Sequence, residues 1–365
     1  FKMILVVGSN GFIGKHIRLY AKINDLKKIY YISKKNFNDI GTKKLFQEAE
    51  TIIHLAGINK KTQGKIYQYN TNLTKRILVN CKDNIKLKKF IFTSSVKTSE
   101  NTPYGKSKKA SEKMINIFFK KKKTKVVNLS IPNVFGEFCK QNYNSVIATY
   151  CYNLFNEKKT IINSNNKIIL IYVGDLVKEI FNFILLNKKI NLKKKSFKMK
   201  LGQIISKIDE FYLDYISNII PVFSNKFEIN LYNTLKSYAF PKKKIIPLKQ
   251  NKDHRGVLTE IIKSNTTSNF FTSITKRNKV RGNHFHSGKI EKFIVIEGKG
   301  LIKFRNVLEK KIYKVKVSGG KPVCVDIPNY FTHNIQNISK QNLITLFYSN
   351  EFYNPKYSDT YYEKV

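Results

Sequence analysis

Cysteine is scarce in this sequence. Cys81, Cys139, Cys151 and Cys324 lie far apart with no C-x-x-C pair, which argues against both a disulfide framework and a thiolate metal site. Long apolar runs are missing as well. The best candidates, such as EIFNFILL, fall well short of the about 20 residues that a membrane span requires. The N-terminus lacks the basic, apolar and small-residue order of a signal peptide, and a buried strand begins at Met3. A cytoplasmic protein without a membrane partner is expected.

Acidic residues and arginine are also short. Asp and Glu total 24 against 68 Lys and Arg, a net charge of +44, yet only six of the basic residues are arginines. A nucleic-acid surface favours arginine forks and a basic patch. Here lysines are spread along the chain and accompanied by abundant Asn, Ile, Phe and Tyr, the residues that AT-rich codons supply. Codon drift accounts for the charge, and no specific nucleic-acid partner is expected.

The 365 residues suffice for two domains with full cores. Up to about residue 187, short β-branched runs (MILVV, KIYYI, TIIHLA, KFIFTS, KVVNLSIP) alternate with stretches of helical period. That pattern predicts βα units around a parallel sheet. The two prolines of FPKKKIIP (240–247) mark a junction. Beyond it, short strands separated by turn residues predict an all-β sandwich or barrel. The expected domains are therefore 1–243 and 244–365.

In ILVVGSNGFIG, Gly8, Gly11 and Gly14 sit between a strand and a helix. There they permit a tight turn and close backbone approach to a pyrophosphate held on the helix N-terminus. No acidic residue ends the second strand; Ser33, Lys34 and Lys35 stand there, a hydroxyl and two cations that suit the 2′-phosphate of NADPH. Farther on, Tyr104 and Lys108 form Y-x-x-x-K one helical turn apart, after the TSS containing Ser94 and Ser95. An ammonium beside a phenol favours the phenolate, which predicts a lowered Tyr104 pKa and a proton donor near neutrality. Ser95 is expected to bond the substrate oxygen.

In order, GSNGFIG, HLAG (54–57), NTNLT (70–74), TSS, YGKSK and PNVFG (132–136) resemble extended short-chain dehydrogenase/reductases acting on nucleotide sugars. The resemblance implies a Rossmann-type α/β domain with Ser95, Tyr104 and Lys108 as its catalytic triad. It further implies cofactor contacts from Gly8 to Gly14, including Asn10, Phe12 and Ile13, from Ser33 and Lys34, and from Leu55, Ala56 and Gly57. Asn133 is implied at the nucleotide-sugar. Only eight residues separate Ser95 from Tyr104, fewer than in most such enzymes, so Ser94 stays open as a substitute. The arginine often found before PN is replaced by the LSI of LSIPN.

The second half holds His284, His286 and Glu291 as H-x-H-x4-E, with His333 available in IPNYFTHNI. Residues two apart on a strand share a face, so both imidazoles can enter one cavity. Three histidines and a carboxylate suit zinc, and nickel, iron or manganese are open alternatives. The pattern resembles a cupin barrel. DHRGVLTE, RGNHF and FYSNEFYNP also resemble metal-free nucleotide-sugar 3,5-epimerases of the same barrel class. That second resemblance makes His284 a base, Tyr348 or Tyr353 the acid, and Arg255 and Arg281 substrate contacts. His286 and Glu291 favour the ligand role for His284, and the base that removes the proton, Lys292 among the possibilities, is left open.

Together, and with NYNSVIATYCY (142–152) and DTYY (359–362), the halves resemble over nearly the whole chain bifunctional capsular-polysaccharide enzymes that form UDP-2-acetamido-2,6-dideoxy-L-talose on the route to UDP-N-acetyl-L-fucosamine. This implies zinc in the cupin, NADPH in the first domain and a homodimer. Ser287 stands where those enzymes tend to carry another histidine. Alternatives are a reductase/epimerase for another 4-keto nucleotide sugar, of the rhamnose or fucose precursor type, and a non-catalytic NADPH- and sugar-sensing protein.

Overall fold

The structure is a computed structural model. It describes residues 3–59, 65–160, 162, 165–243, 245–248, 250–253, 256–259, 262–264, 269–351 and 358–365. By packing it divides into two units, Phe1–Val146 with Lys167–Met199, and Ile147–Asn166 with Lys200–Val365.

In the first unit, β1 (Ile4–Val7), α1 (Phe12–Ile23), β2 (Ile29–Ile32), α2 (Ile40–Glu48), β3 (Thr51–His54), α3 (Ile66–Asn80), β4 (Lys89–Thr93), α4 (Pro103–Phe119) and β5 (Lys125–Leu129) alternate as expected. The five strands form one parallel sheet in the order β2-β1-β3-β4-β5. Both faces are covered, which is why the central strands are continuously apolar. Ile4, Val6, Ile53 and Ile91 enter one core, while Leu5, Val7, Ile52, Phe90 and Phe92 enter the other. The chain continues through β6 (Asn133–Phe135), α5 (Val146–Leu154), β7 (Lys167–Tyr172), α6 (Val173–Leu186) and β8 (Ser196–Lys200), with β6, β7 and β8 in a separate small sheet. Tyr20 of α1 stacks on Phe181 of α6 at 4.5 Å, closing the first core.

The second unit contains α7 (Leu201–Ile216), β9 (Ile219–Ile220) and α8 (Lys226–Ala239). Strands β10 (Ile245–Pro247), β11 (Gln250–Asp253), β12 (Gly256–Thr259), β13 (Lys263–Ser264), β14 (Asn269–Thr275), β15 (Val280–Phe285), β16 (Glu291–Glu297) and β17 (Lys299–Asn306) follow. The chain ends with β18 (Ile312–Ser318), β19 (Val323–Ile327), β20 (Phe331–Asn337), β21 (Leu343–Ser349) and β22 (Tyr361–Tyr362). Two five-stranded sheets dominate, β10-β19-β16-β21-β14 and β18-β17-β20-β15-β22, with antiparallel pairing throughout. The fold class is thus a Rossmann-type parallel sheet followed by an all-β, cupin-like domain. Residues 200–243, grouped with the first half on sequence, pack with the second unit: α8 sends Tyr232 and Lys236 into the same buried cluster as strands β16, β19 and β21. Among the described residues, no helix is long and apolar enough to cross a membrane.

Candidate functional site

Each unit carries its own constellation. In the first, the glycine turn has the expected geometry. Gly8 adopts φ +93°, and a Cβ there would lie 2.6 Å from the Ala56 backbone nitrogen. A Cβ on Gly14 would meet the Ser9 carbonyl oxygen at 2.5 Å, so the start of α1 can press on the turn only without side chains. Gly11 is the N-cap of α1 and makes no side-chain cap bond. Leu55, Ala56 and Gly57 follow β3 beside this turn, and the Leu55 amide donates to the Val7 carbonyl at 2.9 Å.

Ser33 follows β2, where its amide and hydroxyl both donate to Asn36 Oδ1 (2.7 and 3.1 Å), and Lys34 is exposed. Sequence reasoning passed over Arg18. Its guanidinium donates to Ser9 Oγ and Asn10 Oδ1 (3.1 and 3.2 Å) and lies 4.5 Å over the Tyr31 ring. This cation stands between the glycine turn and the end of β2. An arginine one helical turn beyond Gly14, in a chain with six, was the available signal.

Ser95 lies close enough to Tyr104 to act on its phenol, whereas the buried Ser94 hydroxyl has no hydrogen-bond partner among the described residues. The eight-residue separation is bridged by one 3-10 turn, Val96–Ser99, capped by Ser95 Oγ accepting from the Lys97 amide at 3.2 Å. Helix α4 starts directly against that turn. Thr102 caps it, and a Cβ on Gly105 would lie 2.2 Å from the Lys97 carbonyl oxygen. Lys108 is buried below Tyr104: Nζ donates to the Thr93 carbonyl at 2.7 Å and lies 5.7 Å from the Tyr104 ring centroid. Burial pulls Lys108 down to about 8, with Glu112 opposing.

The expected lowering of Tyr104 does not occur. Burial raises its pKa, the nearby Ser95 hydroxyl offsets part of that, and nearby Tyr143 adds to the rise. The Lys108 ammonium is engaged with a backbone carbonyl rather than with the phenol oxygen. Tyr143, another residue sequence reasoning passed over, accepts from the Asn59 amide at 3.4 Å. Asn70 of the NTNLT motif ties the loop after β3 to α4, through Ile58 N and O (2.8 and 2.9 Å) and Ser107 Oγ (3.0 Å). Asn133 begins β6, exposed, and donates to the Ile169 carbonyl.

In the second unit, β15 and β20 set His284 directly opposite His333. His286 follows β15, and Glu291 opens β16 in the facing sheet. One donor atom from each of the four residues lies within 4.8 Å of all the others. Glu291 Oε2 is 3.0 Å from His333 Nε2, 3.3 Å from His286 Nε2 and 4.0 Å from His284 Nε2. Burial opposes ionisation of Glu291, but the three imidazoles, His286 and His333 at hydrogen-bond distance and His284 farther off, outweigh that and hold its carboxyl well below the usual range. Burial likewise pulls His333 down, against the pull of Glu291.

The donor set fits a metal. His333 Nδ1 donates to the Phe331 carbonyl (3.1 Å) and His286 Nδ1 to the Asp359 carbonyl (2.6 Å). Those bonds hold a proton on each Nδ1, so with Nε2 unprotonated both rings would turn a lone pair toward a cation beside the Glu291 carboxylate. A buried point faced by lone pairs and a negative charge is made for a cation, and N₃O chemistry suits zinc.

Tyr348, the candidate acid, is not brought to this cluster. It pairs across the strands with Lys292, while Ser349 pairs with Glu291, so Tyr348 and Lys292 occupy the opposite face of the sheet. There Lys292 Nζ and Lys236 Nζ lie 3.7 and 3.9 Å from Asp326 Oδ1. Arg281 lies exposed on β15 and donates to the Ile274 carbonyl. Arg255 and Tyr353 lie outside the described residues.

Comparison with known proteins agrees with this division. Residues 4–195 match the NAD dependent epimerase/dehydratase family, and residues 251–361 match the polysaccharide biosynthesis C-terminal domain. A UDP-2-acetamido-2,6-beta-L-arabino-hexul-4-ose reductase of Pseudomonas aeruginosa is 26% identical over 364 residues, covering 98% of this chain and 97% of its own. The crystal structure of the capsular polysaccharide assembling protein CapF from Staphylococcus aureus is 32% identical with a TM-score of 0.62, covering 99% of this chain and 100% of that one. A dTDP-glucose 4,6-dehydratase of Bacillus anthracis in complex with NAD shares the fold alone, at 16% identity and a TM-score of 0.53 over 67% of this chain and 98% of that one. With more than half its length matched by one family and a likeness to CapF that spans both chains, the protein belongs to the NAD dependent epimerase/dehydratase family and carries a polysaccharide biosynthesis C-terminal domain.

Proposed function

We propose that this chain is a bifunctional enzyme of surface-polysaccharide synthesis. It epimerises C3 of a UDP-2-acetamido-2,6-dideoxy-4-keto-hexose, then reduces C4 with NADPH to give UDP-2-acetamido-2,6-dideoxy-L-talose. One observation carries the reading. A chain similar along its length to a UDP-4-keto-sugar reductase holds both the Ser95–Tyr104–Lys108 constellation and a cluster of three imidazoles and one carboxylate, buried but for His284.

The order of steps follows from the chemistry. The C3 hydrogen is acidic only while C4 is a ketone, so epimerisation precedes reduction. Zinc held by His284, His286, Glu291 and His333 would supply Lewis acidity, polarising that ketone as the C3 proton leaves and returns on the opposite face. Gly8, Gly11 and Gly14 would hold NADPH, which would supply the hydride for C4. Ser95 holds the C4 oxygen, and Tyr104 gives its phenolic proton to that oxygen as the hydride arrives. Lys108 and Arg18 supply positive charge, the first beneath Tyr104, the second beside the glycine turn, where a 2′-phosphate fits better than a bare ribose diol.

The test is turnover of the UDP-linked 4-keto sugar with NADPH in deuterated water, read by NMR. Deuterium at C3 with inverted configuration, together with a new C4 hydroxyl, is the expected product. Reduction without deuterium removes the epimerase half, and absence of reduction removes the reductase half for this substrate.

A further inference from the structure

The turn 286–290 joins two of the four donors, His286 and Glu291, and side chains from elsewhere hold its amides from Ser287 to Ile290 and the carbonyls of Gly288 and Lys289. Asp359 does most of this. Its Oδ1 accepts from the Ser287 amide (2.9 Å) and the Ser287 hydroxyl (2.6 Å), and its Oδ2 from the amides of Gly288 (2.7 Å) and Lys289 (2.8 Å). Its backbone carbonyl accepts from His286 Nδ1 at 2.6 Å. Asn350 takes the Ile290 amide at 2.8 Å, and Asn233 and Asn329 donate to the carbonyls of Gly288 and Lys289.

The segment that carries Asp359 is itself fixed. Strand β22 pairs with β15, setting Tyr361 opposite Phe285 and Tyr362 opposite His284. The Tyr361 ring stacks on Phe285 at 5.2 Å, and Arg305 pairs with Glu363 at 2.6 Å.

We propose that Asp359 is a positioning residue of the metal centre. Its carboxylate fixes the turn that sets the spacing of His286 and Glu291, and its carbonyl fixes the tautomer and orientation of the His286 ring. A carboxylate that accepts from three amides and a hydroxyl makes charge-assisted bonds, the strongest kind available to hold a loop. Partners behind a ligand imidazole typically change metal affinity roughly tenfold to a hundredfold when removed. The inference rests on the proposed metal role of the four donors.

The experiment uses the full chain, stripped of metal and reloaded with Zn2+ or Co2+. Zinc affinity is measured by chelator competition, and the coordination geometry is read from the visible bands of the cobalt form. Asp359→Ala is expected to weaken zinc roughly tenfold to a hundredfold and shift the cobalt bands. Asp359→Asn, which keeps one acceptor oxygen, is expected to fall between it and the parent. Glu363→Gln removes a tie of the same segment away from the turn; it is expected to lower the melting temperature while affinity and cobalt bands stay as in the parent. Unchanged affinity and bands in either Asp359 variant, whatever happens to the melting temperature, overturn the proposal. The Asn variant decides if the Ala variant does not fold. A parent protein that takes up neither metal removes the metal role itself, and this inference with it.

Discussion

At the scale of single residues, the Ser95–Tyr104–Lys108 constellation depends on contacts that a spacing rule does not contain. The glycine turn and the Tyr104–Lys108 pair are legible because backbone approach and helical period both leave marks in sequence. The short reach from Ser95 to Tyr104 is not, because it depends on a single 3-10 turn and on Gly105, whose missing Cβ lets α4 begin against Lys97. The raised Tyr104 pKa escapes the spacing for a related reason. Spacing places Lys108 below the ring but does not reveal that its ammonium is turned to the Thr93 carbonyl in a buried setting. If the two sites divide the work as proposed, Tyr104→Phe abolishes NADPH oxidation and leaves deuterium exchange at C3, and His333→Ala does the reverse. Loss of both activities in Tyr104→Phe sinks that division, and unaltered exchange in His333→Ala counts against the metal role. Lys108 carries its charge only below about 8, so NADPH oxidation is expected to decline as the pH rises through that value. Glu112 supports the ammonium, so in Glu112→Gln the alkaline limb of the pH–rate profile moves to lower pH; an unmoved limb counts against Lys108 as its source.

At the scale of elements, alternation along β16 explains both what the H-x-H-x4-E pattern reveals and what it hides. Strand parity brings His284 opposite His333 and puts Glu291 on the facing sheet, so the four-residue cluster is readable once two strands are assumed. The same parity turns Lys292, the next residue, to the other face. There, with Tyr348, Asp326 and Lys236, it forms a buried charge cluster that no short motif announces. Asp359, 73 residues from His286, is invisible for the same reason: only the strand pairing brings it in. Tyr348→Phe is expected to leave C3 exchange unchanged, and a hundredfold loss would return Tyr348 to the chemistry. Asp326→Ala leaves two buried ammonium groups without their shared carboxylate and is expected to cost about 3–5 kcal/mol in chemical denaturation; a loss below about 1 kcal/mol means the cluster is solvated.

At the scale of the whole molecule, a charge of +44 with few acidic partners opposes compaction at low ionic strength. Added salt screens that repulsion over about 10 Å at 0.1 M. The melting temperature is expected to rise between low salt and half-molar sodium chloride, and a flat response would mean the lysines are too dispersed to matter. Two buried histidines act in the acid range. Burial pulls His16 down to about 4 and His54 to about 3, while the unfolded chain takes up these protons near 6.5. Their contribution is fully present above that value and is lost as the pH falls toward 4 and then 3, by on the order of a few kcal/mol. Denaturant titrations across that window are expected to show the slope in the parent and a shallower one in His16→Gln. Finally, the adjacency of Glu291 and Lys292 bears on how the chain finds its pairing. A one-residue slip of β16 would exchange the two faces, driving an ammonium among three imidazoles and leaving two carboxylates to share Lys236. Mispairing is thus rejected by charge on both sides of the sheet at once, and the correct register is the one in which every buried ion meets its opposite.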